Sequence, residues 1–465
     1  MTDLTETVRS LVTNKRFSTL RDLFSTMNAP DIAAILSEQK ESDLPLLFRL
    51  LSTETAAETF VEMNPDEQEI LIRGFSDTEL KAVLDELYLD DAVDIIEEMP
   101  GILVPRILKA ADPESRKLIN ELLKYPEDSA GSIMTPEFVS LSPNETVEEA
   151  IDEIRRTGLD KETINVCYVV RADRTLFGSV SIRRILLSDP DEKMSEIADT
   201  HVITCETTDD QETVAKMLSK YDMIALPVVD HEKRIVGIVT VDDAIDVLQE
   251  ENTEDIEKMA AITPSDRPYL ETPVGSLFLH RIPWLLLLML TSTMTELIIN
   301  RFTNRLSLFG PIAGAMLIAC IPMLMDTGGN AGGQSSATVI RGLSLGEIEF
   351  SDFFRVIGKE LTVAALAGAA LAIINFGKML LVNVVLYHYA GHDLFVYMIA
   401  SVTISLAILL TIVVAKFAGS MLPMLAKKIG FDPAVMAAPF ITTRIDVTSL
   451  LLLFGLANVI LMHIR

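Results

Sequence analysis

Asp326-Thr327-Gly328-Gly329-Asn330-Ala331-Gly332-Gly333-Gln334 lies inside an apolar run over about residues 309–341. A helix of about 20 apolar residues crosses a bilayer, so the run is long enough to span and its glycine-rich insert falls at membrane depth. Backbone groups freed by glycine are tolerated there only where protein or water satisfies them. The stretch therefore predicts one of two things. It is a broken helix whose carbonyls, with Asn330 and Gln334, line a pore, or it is a site of close helix packing through small residues. Neither is an ordinary lipid-facing helix.

Working outward, five apolar runs of spanning length cover about 281–302, 309–341, 355–387, 394–426 and 434–463, giving an α-helical transmembrane domain over 275–465. With the N-terminus inside, the inner connections hold Arg341, Arg355, Lys359, Lys427 and Lys428, with Arg281 at the entry. Outside there is no Lys or Arg between Tyr387 and Leu394, and only Arg301 and Arg305 vote the other way. Positive charge thus predicts an inside N-terminus, and an odd number of spans puts Arg465 outside. Ionisable residues at membrane depth face a pore or a partner. Those singled out are Glu296, Asp326, Lys378, Arg444 and Asp446. Glu296 and Lys378 lie near span ends, where snorkelling or a salt bridge explains them. Asp446 has Thr442 four residues back on the same helix face and Thr443 three back. A carboxylate with hydroxyls one turn away suits a hard cation, which takes oxygen ligands. The other reading is that Asp446 pairs with Arg444 or caps a broken helix.

The charge of the chain divides at the same boundary. Of 39 Lys+Arg and 67 Asp+Glu, residues 272–465 hold 12 and 9, a net of +3, whereas residues 1–271 carry a net of −31. An acidic half joined to an apolar half excludes a single globular domain, and a polyanion would be repelled by the first half, which excludes a general nucleic-acid binder. Cys167, Cys205 and Cys320 have no CxxC spacing and offer neither a zinc site nor a disulfide framework, in keeping with a reducing cytoplasm. The polar, acidic start Met1-Thr2-Asp3-Leu4-Thr5-Glu6 predicts no secretory leader.

Residues 1–130 read as an all-α superhelical domain. Apolar residues recur at helical spacing in Leu20-Leu23-Phe24-Met27, Ile32-Ile35-Leu36 and Leu80-Val83-Leu84-Leu87. Asn28-Ala29-Pro30-Asp31, Asn64-Pro65-Asp66-Glu67 and Met99-Pro100-Gly101 punctuate short helices, since Asn or Asp beside Pro starts a helix well. Residues 131–250 hold an internal repeat. Tyr168–Arg171 with Leu176–Ile182 precedes Pro227–Asp230 with Ile235–Val241 by 59 residues, each copy reading strand, turn, strand, then a helix from Arg183 or Asp242. This α/β unit resembles a tandem pair of cystathionine-β-synthase (CBS) domains. Such pairs often bind adenine nucleotides through an Asp at the start of the last helix. The second copy has Asp242-Asp243 there and the first has Arg183-Arg184, so ATP is expected at no more than one copy. The acidic run Ala244–Lys258 then leads to the first span, within a connecting segment 243–270. A charge run is commonly a solvated face. Here like charges repel over roughly 8 Å at physiological salt, so closely placed acidic surfaces separate unless cations bridge them.

The order of these parts, the motif Gly-Gly-Asn-Ala-Gly-Gly-Gln at 328–334, and Gly430-Phe431-Asp432-Pro433-Ala434 with Thr442–Thr448 together resemble the MgtE family of magnesium channels/transporters, over essentially the whole chain. The resemblance implies a homodimer in the membrane lipid, with a pore on the two-fold axis built from the second and fifth spans. It implies transported Mg2+ held by Asp446 of both copies, and pore-lining roles for Gly328, Gly329, Asn330, Gln334, Thr442 and Thr443. It makes about 243–265 a plug helix, with regulatory Mg2+ closing the pore from the cytosol. The sensor acids then fall on Asp90 and Asp94, on Asp210, Glu212, Asp222, Asp243 and Asp246, and on Glu251, Glu254 and Asp255. Three positions depart from the family's pattern: Ala438 where some members have Asn, Arg444 two residues before Asp446, and Ser449 where glycine is usual. Residues i and i+2 lie on different faces of a helix, so Arg444 is expected to point away from the ion path.

Three other readings stay open. A Co2+ or Ni2+ transporter or an ion-coupled carrier is one, although the last span offers oxygen ligands and no His or Cys near Asp446. An enzyme regulated by its CBS pair is a second, with no HExxH, GxSxG or phosphate-binding loop to support it. The third is a Mg2+-sensing membrane protein without flux.

Overall fold

In the computed structural model, residues 2–265, 269–270, 272–303, 309–436 and 438–461 are described. Arg305 and Arg465, which bear on the expected orientation, lie outside them. The chain forms two units, residues 1–249 and 250–465.

Among the described residues of the first unit, ten short helices (α1–α10) run from Thr2 to Leu122. None is long enough to hold its shape alone in water, so their stability comes from caps and packing. Asn64 accepts from the amide of Glu67 ahead of Pro65, Asp112 does the same for Glu114 and Ser115 ahead of Pro113, and Ser76 and Glu79 close a capping box. Neighbours pack next-but-one: α3 (Ala29–Ser37) on α5 (Thr53–Val61), α4 (Leu44–Phe48) on α6 (Pro65–Gly74), α5 on α7 (Asp77–Leu84), α7 on α9 (Val104–Ala110) and α8 (Leu89–Glu98) on α10 (Pro113–Leu122). This staircase encloses one continuous apolar core, with the rings of Phe48, Phe60 and Phe75 in mutual contact at 5.4–6.2 Å.

The repeat folds as two matching three-stranded sheets. In the first, β1 (Phe138–Leu141) is parallel to β2 (Thr163–Val170) and β2 antiparallel to β3 (Leu176–Ser181). In the second, β4 (Cys205–Glu206), β5 (Ala225–Val229) and β6 (Ile235–Thr240) repeat that order. Helices α11 (Val147–Thr157), α12 (Ile182–Leu187), α13 (Met194–Ile197) and α14 (Gln211–Lys220) complete the pair. The two sheets share a core of Phe138, Tyr168, Ala225, Ile235 and Ile238. Helix α15 follows β6 without a break and runs Val241–Met259.

Among the described residues of the second unit, five helices are long and apolar enough to cross a membrane: α16 (Val274–Thr303), α17 (Gly310–Ser344), α18 (Phe353–Val382), α19 (Gly391–Lys428) and α20 (Ala438–Leu461). Helix α19 is central, packing on α17, α18 and α20, while α16 rests on α20, where Phe302 stacks on Phe454 at 4.6 Å. The glycine-rich insert does not break α17, which is helical throughout. Glycine weakens a helix by only about 1 kcal/mol against alanine, and neighbours packed tightly on the bare face offset that. Of the two sequence expectations, close packing is the one realised. A β-carbon at Gly419 would fall 2.3 Å from the carbonyl oxygen of Gly332, so α17 and α19 touch backbone to backbone.

Candidate functional site

Two faces of α17 have different uses. Gly328, Gly329 and Gly332 turn toward Ile441, Thr442, Ile445 and Ser449 of α20. Asp326, Asn330, Gln334 and Thr338, four residues apart in turn, are exposed along another face. The stripe is thus polar. Gly328 and Gly329 are buried at the α20 contact, so within one chain they hold helices together and the side chains of Asn330 and Gln334 are the accessible ones.

On α20, Asp446 is half-buried and makes no hydrogen bond or ion pair with any described residue. Arg444 does not pair with it. The guanidinium is exposed and lies over the Phe440 ring at 5.7 Å. The hydroxyls of Thr442 and Thr443 donate to the Pro439 carbonyl at 3.0 and 3.1 Å, which leaves their oxygens able to accept. The result is a carboxylate with hydroxyl oxygens one turn away and no His or Cys on α20. Such a donor set suits a hard cation that keeps its water. Among the described residues no three or more of His, Cys, Asp and Glu converge to hold a metal ion.

A second acidic constellation lies in the first unit. Asp90 in the first turn of α8 (Leu89–Glu98) is only 9% exposed, and one of its carboxylate oxygens has no hydrogen-bond partner. Burial, and then the neighbouring Asp91, Asp243 and Glu162, push its carboxyl well above the usual carboxylate range. Asp91 rises to about 6, through burial and then Asp243 and Glu137. Asp94 rises to about 7, through burial and then Asp91 and Asp243, although its side chain is open to solvent, which screens the effect. Glu162 rises to about 8, through burial and then Asp243 and Asp91. Asp243 is raised by burial against a hydrogen bond from the Thr240 hydroxyl, and Asp246 by burial and then Asp242. The structure therefore brings Asp90, Asp94 and Asp243 into one electrostatic cluster and adds Asp91, Glu137 and Glu162, which sequence reading did not single out. Only the fold carries that information, because α8, the residues that precede β1 and β2, and the start of α15 are far apart along the chain.

The other expected sensor acids stand elsewhere. Asp210 caps α14 by accepting from the Thr213 amide at 3.1 Å, Glu212 is ion-paired with Lys216, and Asp222 sits in the turn after α14 with φ +51°. From residue 250 the end of α15 belongs to the second unit and is bonded within it. Arg341 donates to Asn252 at 2.8 Å and Ser344 to Asp255 at 3.1 Å, while Lys258 pairs with Glu254 and, at 2.8 Å, with Asp432. Glu251 is half-buried on the same helix.

One further cluster was passed over in the sequence. Lys416 of α19 is 6% exposed and lies 3.5 Å from Glu360 of α18. Lys416 also donates to the Ser335 hydroxyl of α17 at 3.2 Å, and Ser335 donates to Glu360. The signal was available as a charge inside each of the third and fourth apolar runs.

Five helices of spanning length, one bearing an unpaired carboxylate, joined to an acidic helical module and a pair of matching α/β units, place the chain among multi-pass membrane proteins. Comparison with known proteins is in accord. The MgtE family, described as divalent cation transporters, matches residues 321–456, the MgtE intracellular N domain matches 27–128, and CBS domains match 130–190 and 194–250. The chain is 35% identical over 446 residues to the magnesium transporter MgtE of Thermus thermophilus, covering 95% of each, and 30% identical over 452 residues to that of Bacillus subtilis, covering 96% of this chain and 95% of the other. A crystal structure of the cytosolic domain of the Mg2+ channel MgtE in complex with ATP is 34% identical to it, with a TM-score of 0.51, over 52% of this chain and 99% of that one. This chain belongs to the MgtE family.

Proposed function

We propose that this protein carries Mg2+ into the cytoplasm through a membrane path at Asp446, and that Mg2+ bound by its acidic soluble domains closes that path. The observation that carries the reading is the unpaired Asp446 carboxylate on α20, where α20 packs on the glycine face of α17. One carboxylate per chain is too few to strip a Mg2+ ion of its water, but it suits a hydrated ion. Two copies facing each other across a two-fold axis would supply two. The exposed stripe Asp326, Asn330, Gln334 and Thr338 would line the same path, with Thr442 and Thr443 near its narrowest part.

In the soluble half the raised carboxyls of Asp90, Asp91, Asp94 and Glu162 supply the closing force. Crowded carboxylates repel, and a divalent cation between them reverses the sign of the interaction. Asp210, Glu212, Asp222, Asp243, Asp246, Glu251, Glu254 and Asp255 belong to the same sensor, and the end of α15 is the plug. The assembly is a homodimer in the plasma or inner membrane, with soluble domains in the cytoplasm and the C-terminus outside, and without enzymatic activity. ATP, bound by the similar cytosolic domain, is assigned here to the second CBS copy alone, since the first has Arg183-Arg184 where the acid is needed. Oxygen-only ligands around Asp446 favour Mg2+ over Co2+ and Ni2+.

Asp446→Ala tests the path. In cells lacking other Mg2+ importers the variant should assemble and fail to support uptake; full uptake would refute the assignment.

A further inference from the structure

We propose that the buried Glu360–Lys416 pair is a positioning element for permeation, holding the polar face of α17 in register through the Ser335 hydroxyl. This inference rests on the reading of α17 as a pore helix. The chain of hydrogen bonds has one direction: Lys416 donates to Ser335, and Ser335 donates to Glu360, with the ammonium and carboxylate themselves 3.5 Å apart. Each of three helices contributes one member. Ser335 follows Gln334 of the exposed stripe immediately in sequence, and stands one turn from the backbone contact between Gly332 and Gly419. Ser335, Glu360, Lys416 and Asp446 are nine, seven, twelve and eight residues from the ends of their helices that face the connections 345–352 and 429–437. At 1.5 Å per residue they share a depth of roughly 10–18 Å inside the bundle.

Charges at that depth are costly and are kept for a reason. Stability alone does not supply one here, because apolar side chains of similar volume commonly replace a buried ion pair without loss, whereas removing one partner strands the other charge. An apolar pair cannot direct a hydrogen bond at Ser335. What it would forfeit is the angular setting of α17 and, with it, the placement of Gln334 and Asn330. Lys416 also stays neutralised: without Glu360 its ammonium would stand beside a cation path.

The test uses full-length protein in proteoliposomes, with Mg2+ influx read by an internal dye and single-channel conductance read in bilayers. Glu360→Met with Lys416→Met should elute and melt like wild type, yet lower conductance on the order of tenfold, and lower the preference for Mg2+ over K+. Ser335→Ala should shift conductance in the same sense with assembly unchanged. Wild-type conductance and ion preference in the double variant would overturn the proposal. Were the double variant not to fold, an unaltered Ser335→Ala channel would overturn it instead. Asp446→Ala in the same assay separates the two levels: conduction by that variant removes the pore reading itself, whereas its loss beside a wild-type double variant removes only the positioning role.

Discussion

The guanidinium of Arg444 lies over the ring of Phe440 at 5.7 Å and leaves the carboxylate two residues further on without a partner. That arrangement settles a local conflict. A cation two positions from the acid proposed to hold the ion would compete with that ion if both faced the same way, and the 200° between them on a helix separates them.

Arg444→Ala should therefore leave Mg2+ uptake within about a factor of two of wild type, since an exposed cation–π contact contributes only about 0.5–1 kcal/mol. Radiotracer-free uptake followed by a Mg2+ dye is sufficient. A large gain or loss of rate would mean that Arg444 acts on the ion directly.

The crossing of α17 and α19 tolerates no side chain. Alanine at position 419 gains about 1 kcal/mol in helix propensity over glycine. Its β-carbon would fall 2.3 Å from the backbone oxygen of Gly332, where no rotamer change gives relief, and overpacking of this kind costs about 1–3 kcal/mol. Gly419→Ala should lower the melting temperature of the detergent-solubilised protein. An unchanged or higher value would show that the helices separate easily.

The acidic cluster gives a pH dependence with a definite sign. Folding raises Asp91 to about 6, Asp94 to about 7 and Glu162 to about 8, above their ordinary values near 4. The folded state therefore holds more protons, and stability present below about pH 4 is lost progressively as pH climbs through about 6 to 8. Without Mg2+, proteolysis of residues 1–249 in the full-length protein should quicken from about pH 5 to about pH 8, and added Mg2+ should remove the difference. Faster cleavage at the acidic end would contradict the cluster's assignment.

On α15, Glu254 is paired with Lys258 and Asp255 accepts from Ser344. Changing Glu251, Glu254 and Asp255 together to their amides should weaken closure by Mg2+, seen as current that persists at high cytosolic Mg2+. Closure at the wild-type concentration would make these acids a solvated face only.

How much of this was legible along the chain depends on the range of the interaction concerned. Period and punctuation are local, so the short helices before residue 130, the 59-residue repeat and the five spans read directly. The glycine insert was ambiguous because glycine permits both a break and a close approach, and only the neighbours Gly419, Ile441 and Ile445 decide between them. Glu360 and Lys416 are visible as charges in apolar runs, but 56 residues separate them and neither announces its partner. Glu162 is one acid among many until the fold sets it beside Asp243.

The central claim is that Mg2+ crosses at Asp446 and that Mg2+ on the cytosolic side stops it. Its most direct test is the Mg2+ current through purified full-length protein in a planar bilayer as Mg2+ is raised on the side of the soluble domains. The account predicts a current that is present at low Mg2+ and falls away as Mg2+ rises. No current at any concentration, or a current indifferent to cytosolic Mg2+, would contradict it.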